Sequence, residues 1–237
     1  HGHVDGVASV AFSTEGDLLA SGSIFGRTIL VWELASGELR RKLVDAHWRS
    51  VQSVSFSPDG RTLASAGGDC EVLFWDLEAG VVTSVLEPHR SYGGSVAISP
   101  DGKKLAFGGY DFSVRIWDAG ASEEVLLLRG HDGLDGCKCQ RYGAANSECS
   151  VLGHRGAVFS VAFSPDGVTL VSGSLDGTCK AWDMRSGALL HTLDMWPSFY
   201  FVAVGRDWVR DEKCVAFAMG LQDRLGSRSR VRPALID

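Results

Sequence analysis

No apolar run in this sequence approaches the roughly 20 residues that a membrane-spanning helix needs. The longest candidate, FYFVAV at 199–204, has the length of a strand, so membrane insertion is set aside. Basic charge is also short: 23 Lys and Arg against 29 Asp and Glu leave a net charge of −6. That balance argues against a general phosphate-binding surface and against direct contact with nucleic acid. Six cysteines in a chain of 237 residues form no regular framework. They fit free thiols in a reducing compartment better than a disulfide-stapled secreted fold, so an intracellular place, cytoplasmic or nuclear, is expected. Gly67-Gly68 and Gly108-Gly109 precede turns and extend into neither GxGxxG nor a P-loop pattern, which leaves phosphate cradling without support. His1 already lies inside a repeating unit, so there is no signal or transit segment to assess, and the chain reads as a piece of something longer.

What is present is one sentence written four times. Its fullest form, GHRGAVFSVAFSPDGVTLVSGSLDGTCKAWD, runs from Gly153 to Asp183. From the unit's histidine to its tryptophan the distances are 29, 28, 28 and 28 residues, for His3 to Trp32, His47 to Trp75, His89 to Trp117 and His154 to Trp182. The extra residue of the first unit falls within Ser23–Arg27. Short runs such as Val161-Ala162-Phe163 and Leu170-Val171 are too quickly punctuated for helices, and β-branched and aromatic residues fill them. SPDG suits a type I turn: Pro sets φ at the second position, Asp is tolerated at the third and Gly is favoured at the fourth. A fourth strand follows each Trp-Asp or Trp-Glu pair, as in ELRRKLV, VVTSVLE, EEVLLLR and ALLHTLD. A lone four-stranded sheet cannot bury both faces, so successive sheets must stack, and the expected fold is an all-β propeller of antiparallel blades.

These residues resemble the WD40 repeat family, whose blades have four strands. The resemblance covers about 1–44, 45–86, 87–130 and 150–193, with a degenerate, incomplete fifth unit at 194–220 and a disordered tail at 221–237. It implies a hydrogen-bonded tetrad in each blade, joining the Gly-His histidine, a strand serine, the turn aspartate and the strand tryptophan. That tetrad is complete as His47, Ser65, Asp69, Trp75 and as His154, Ser172, Asp176, Trp182, with Ser174 the alternative to Ser172. The first unit keeps His3, Ser21 and Trp32 but has Phe25-Gly26 where the aspartate belongs. The third keeps His89, Asp111 and Trp117 but has Phe107 in place of serine, so both are expected to be less well clamped. Family propellers most often have seven blades, so an open or partial ring with apolar ends is expected. The spacing from Trp117 to Trp182 is 65 where 42 is expected, an excess of 23. Residues 132–148 are either a mobile loop spliced into a blade junction or the remnant of a shrunken blade.

Ser, His and Asp recur together here as they do in a hydrolase triad, but they sit beside a Trp at repeat spacing in more than one blade, which is a structural pattern. No catalytic residue is assigned, and no cofactor. Cys137, Cys139 and Cys149 lie near His131 and His154, a set with zinc-ligand chemistry. The C-x-C spacing is unusual for zinc and the repeat already accounts for both histidines, so no metal is assigned. Cys70, Cys179 and Cys214 are expected to be small buried hydrophobes.

In the family, the loops after Gly-His and the turns between second and third strands share the face most used for partners. On this chain they carry Trp48, Arg49, Arg90, Tyr92 and Arg155, with Phe25, Tyr110 and Phe112 on the turns. Arginine beside aromatics is the composition of an interface hot spot. The resemblance therefore implies a non-enzymatic scaffold that binds a peptide or protein within a larger complex or a longer chain. Two alternatives stand: a regulatory segment of a multidomain kinase or signalling ATPase, and a transcriptional corepressor propeller.

Overall fold

The computed structural model describes residues 2–86, 92–128 and 153–194. The degenerate fifth unit, the 132–148 insertion, the 221–237 tail, His89 and Arg90 lie outside them.

The four units fold as four sheets. Blade one holds β1 (Val7–Phe12), β2 (Leu18–Ser23), β3 (Ile29–Glu33) and β4 (Leu39–Leu43); blade two holds β5 (Val51–Phe56), β6 (Thr62–Gly67), β7 (Val72–Asp76) and β8 (Val81–Leu86). Blade three holds β9 (Gly93–Ile98), β10 (Lys104–Gly109), β11 (Val114–Asp118) and β12 (Glu123–Leu128); blade four holds β13 (Val158–Phe163), β14 (Thr169–Ser174), β15 (Thr178–Asp183) and β16 (Leu189–Asp194). Each sheet is an antiparallel meander in chain order, and its first strand adjoins the first strand of the next sheet. The described sheets thus form an arc, consistent with part of a WD40-type propeller.

Local chemistry sets the turns. In blade two the Ser57 hydroxyl donates to Asp59 Oδ1 (2.5 Å) and accepts the Thr62 N–H (2.9 Å), while Gly60 takes a φ of 67° to carry the chain back. Ser99-Asp101 and Ser164-Asp166 repeat the arrangement. The aspartate of Trp-Asp caps the next turn: Asp76 Oδ1 accepts the N–H groups of Glu78 and Ala79, both at 2.8 Å, and Asp118 and Asp183 act alike. Blade one has Glu33 instead, whose longer side chain accepts the Ser36 hydroxyl (2.7 Å). A register shift precedes the tryptophan in all four blades, at Val31/Trp32, Phe74/Trp75, Ile116/Trp117 and Ala181/Trp182. Such a bulge adds twist where the outer strand leaves the core.

The core lies between the sheets. Leu18, Ala20, Ile29, Val31 and Leu43 of blade one pack on Val51, Val54, Phe56, Leu63 and Trp75 of blade two. Ala64, Ala66, Val72, Phe74 and Leu86 then meet Val96, Leu105 and Phe107 of blade three, and Ala106, Val114, Ile116 and Leu128 meet Val158, Val161, Phe163 and Leu170 of blade four. Cys179 is buried in β15, as expected, but Cys70 is not fully buried. It sits half-buried at the third position of the β6–β7 turn with φ 72°, a left-handed site that blade four gives to Gly177. Among the described residues no helix is long and apolar enough to cross a membrane.

Candidate protein-binding rim

The rim is built on the tetrads. In blade two His47 Nδ1 donates to Asp69 Oδ1 (2.9 Å), Ser65 Oγ donates to His47 Nε2 (2.8 Å), and Trp75 Nε1 donates to Ser65 Oγ (2.9 Å). This proton order satisfies each group once. Blade four repeats it, with His154 Nδ1 shared between Asp176 (3.2 Å) and Thr178 Oγ1 (3.1 Å), and with Ser172 between His154 (2.7 Å) and Trp182 (2.9 Å). Ser174 takes no part and donates to the Gly156 carbonyl instead (2.9 Å). Thr178 is a tetrad member that sequence reasoning missed; the threonine two residues after the turn aspartate was the available signal.

The aspartates do a second thing. Asp69 Oδ2 accepts the Trp48 N–H (3.0 Å) and Asp176 Oδ2 accepts the Arg155 N–H (2.7 Å), so the residue after each histidine is bolted at its backbone while its side chain projects. Burial by itself would raise the Asp69 carboxyl. Hydrogen bonding and charge from His47, with the Glu71 and Trp48 amides, outweigh that and hold it below the ordinary range. At Asp176 burial is likewise opposed by His154, Arg155 and Thr178, and the carboxyl lies far below its usual value.

The other two blades are mounted differently. His3 Nε2 bonds Ser21 Oγ (2.8 Å), which also accepts Trp32 Nε1 (3.1 Å). Where the turn aspartate is missing, the Asp5 carboxylate lies close by: a Cβ added to Gly26 would be 2.6 Å from Asp5 Oδ2. Asp5 Oδ1 is buried with no hydrogen-bond partner among the described residues. In blade three Phe107 fills the serine's place, fully buried, and Trp117 Nε1 is left buried and unpartnered among the described residues. Asp111 accepts the Ser113 N–H (3.1 Å) and hydroxyl (2.7 Å) and faces Arg115 (3.5 Å).

The predicted partner-binding residues divide into exposed and supporting groups. Trp48 is 60% exposed, and the Arg49 guanidinium lies 4.8 Å from its ring centroid, a cation–π pair. Arg155 is exposed, as are Tyr110, Phe112 and Phe25. Tyr92 is half-buried: its hydroxyl bonds Ser50 Oγ (2.9 Å) and accepts Gln52 Nε2 (3.2 Å), joining blade three to blade two. Tyr110 meets Tyr92 and Phe159 edge-on, each at 5.2 Å, so a ridge of three rings crosses from blade three to blade four. Phe159, Ser50 and Gln52 carried no signal in sequence, because their roles arise between units rather than within one. Burial, and secondarily the charge of Tyr92, raises the Tyr110 phenol, which keeps it neutral in ordinary buffers.

The Ser65–His47–Asp69 chain has the distances of a nucleophilic triad, but Ser65 is fully buried and its oxygen already accepts the Trp75 indole. A buried serine with a competing donor cannot reach a substrate. His47, Asp69 and Glu71 place their ligand atoms within 4.8 Å of one another, yet His47 and Asp69 are spent on each other. Both His154 nitrogens are likewise engaged, and the cysteines considered with it lie outside the described residues.

The model of the WD domain, G-beta repeat, matches residues 1–33, 37–76, 80–118 and 146–183. The chain belongs to the WD40 repeat family. It is similar to the pre-rRNA-processing protein IPI3 of Mycosarcoma maydis, 26% identical over 208 residues that cover 83% of this chain and 28% of that protein. The small ribosomal subunit protein RACK1 of Glycine max is 34% identical over 220 residues, covering 81% of this chain and 67% of that one. This WD40 chain thus spans between about a quarter and two thirds of the length of these relatives. A chain in a crystal structure of the mitotic checkpoint complex has the same fold, with a TM-score of 0.66 at 24% identity over 85% of this chain and 55% of that one.

Proposed function

We propose that this WD40 segment is a non-enzymatic scaffold that captures a peptide or protein on the rim carrying Trp48, Arg49, Tyr110, Phe112 and Arg155. Tyr92 serves as a support for that surface, and Arg90, beyond the described residues, is included in the same loop set. The carrying observation is Trp48: a large ring left 60% exposed on a loop whose backbone is fixed by a buried carboxylate. An exposed, pre-ordered aromatic with arginine stacked on it loses little entropy on binding, which is how a hot spot gains affinity. Phe112 adds to this reading, since it holds φ 68°, costly for a bulky residue, while its ring stays 40% exposed. Several relatives carry names that place them in assemblies, such as the small ribosomal subunit protein RACK1, and this supports a protein partner.

The test places a photo-crosslinking residue at Trp48 and, as a control, at Val82 on the exposed outer strand of blade two. Partners crosslinked at position 48 and absent at 82, and lost in a Trp48→Ala, Phe112→Gly double variant of unchanged thermal midpoint, are the expected result. Equal capture from both positions sinks the rim as the binding surface.

A further inference from the structure

The charged side chains of the rim do not balance. Arg27 pairs with Asp45 (2.7 Å), and Asp111 faces Arg115 (3.5 Å), which also holds Glu124 (2.5 Å). Asp69 and Asp176 are committed to His47 and His154 and to the amides of Trp48 and Arg155. Glu71 is half-buried and already engaged. Against these spent carboxylates stand two exposed arginines, Arg49 and Arg155, whose guanidiniums pair with no carboxylate among the described residues. On β15 the Lys180 ammonium, 5% exposed, bonds Thr192 Oγ1 (3.0 Å) and also lacks an ion pair among the described residues. Asp5 is the remaining acid of the rim, and it belongs to blade one, outside the arc from Arg49 to Arg155.

In blade order the two arginines are separated by rings. Arg49 lies over Trp48 on blade two, and Arg155 follows His154 on blade four. Between them run Tyr92 and Tyr110 of blade three and Phe159 of blade four, with Phe112 in the same turn as Tyr110. Blade two makes room for this ridge: a Cβ added to Gly68 would lie 2.4 Å from the Tyr92 hydroxyl, so the ring takes the space of a side chain there. The sequence of chemistries across three blades is cation, aromatic, cation.

We infer that the partner segment on this rim is an acidic peptide, with Asp or Glu on either side of an apolar or aromatic residue. The inference rests on the rim being the binding surface. Each carboxylate takes one guanidinium, whose paired N–H groups match its two oxygens. The residue between them covers the ridge, where ring edges and faces pack. A phosphate fits less well: phosphopeptide sites gather arginines in a cluster, whereas each end here offers one exposed guanidinium among the described residues. A basic or uncharged segment would leave both arginines without a partner.

The test selects binders on the immobilised 237-residue chain from a displayed library of random peptides about twelve residues long, which extend over roughly 40 Å. The enriched sequences carry Asp or Glu on both sides of an apolar residue. Synthetic copies bind about tenfold weaker to Arg49→Gln and to Arg155→Gln, whose thermal midpoints are unchanged, and about tenfold weaker when their own acids are replaced by amides. Raising NaCl from about 50 to about 300 mM weakens them further. Enrichment of basic or uncharged peptides, or affinity unmoved by both arginine substitutions, overturns the inference. If binding of those peptides is lost in Trp48→Ala, the rim still stands as the binding surface; if it persists, the rim falls as well. Copies with phosphoserine in place of the acids that bind more than about tenfold tighter reassign the site to phosphate and overturn the carboxylate reading. A library that yields no binder overturns it too, and leaves the rim to be decided by crosslinking at position 48.

Discussion

Blades two and three share their turns, their strand lengths and a tryptophan at the same register, yet the posts beneath those tryptophans are built from opposite materials. Blade two inserts Ser65 between His47 and Trp75, and every polar atom in the chain from indole to carboxylate has a partner. Blade three inserts Phe107, which fills the space by volume, and among the described residues the Trp117 N–H has no partner. The comparison shows two ways to hold the same strand pair: a satisfied polar relay, or apolar bulk at the cost of an orphan donor worth about 1–3 kcal/mol. The relay has a further consequence, because its aspartate also accepts the Trp48 N–H and so fixes the backbone of the exposed loop.

The largest effect expected is from removing the relay's end. Asp69→Ala deprives His47, the Trp48 amide and the Glu71 amide of their acceptor in a buried site, and about 3 kcal/mol of stability should go. Urea denaturation followed by tryptophan fluorescence measures it; a loss under about 1 kcal/mol would mean the relay is ornamental. Next, Phe107→Ser gives Trp117 a partner but empties a fully buried site. Truncating a buried Phe costs about 3–5 kcal/mol and the regained bond returns about 1, so a net loss of about 2–4 kcal/mol is expected. A gain instead would show that blade three tolerates the polar post and that the two materials are interchangeable.

Acid should separate the blades by a smaller margin. Asp69 and Asp176 have carboxyls held below the unfolded value near 3.8, so they add stability that is fully present above that value and is lost as pH falls through it toward the folded one. Thermal midpoints measured from pH 6 down to pH 2.5 should therefore drop below about pH 4. Asp176→Asn should start lower and fall less steeply; an identical slope would remove Asp176 from the account. The smallest effect is at Cys70, whose φ of 72° is left-handed. Cys70→Gly should raise stability by about 0.5–1 kcal/mol in the same urea assay, and a loss would show that its half-buried thiol packs better than its backbone strains.

Most of the fold was legible because each blade is local. The spacing from His47 to Trp75 is one meander, its turns announce themselves in SPDG, and the tetrad lies within a single unit. The additional residue of the first unit falls in the turn between β2 and β3, as the comparison of units indicated. The rim was half legible. Sequence offsets pick out Trp48, Tyr110 and Arg155, but whether a ring is free or engaged depends on the neighbouring blade. Tyr92 reaches Ser50 across 42 residues, and Tyr110 rests on Phe159, so no periodicity within one unit could announce either contact. Cys70, expected to be buried, is half-buried, because it occupies a left-handed turn position that its sister blade gives to glycine.

The inner serines, Ser9, Ser53 and Ser95, each reach forward to the next strand and never backward. That one-way stitch gives these junctions the same polar contact, a serine of the earlier blade accepting an N–H of the later one. Whole units can then be copied or excised by recombination at the connections between β4 and β5 or between β8 and β9 without redesigning any junction, whereas a cut through a meander strands an acceptor from its donor. The count of blades is free to drift in such a gene while the joint between any two of them is not.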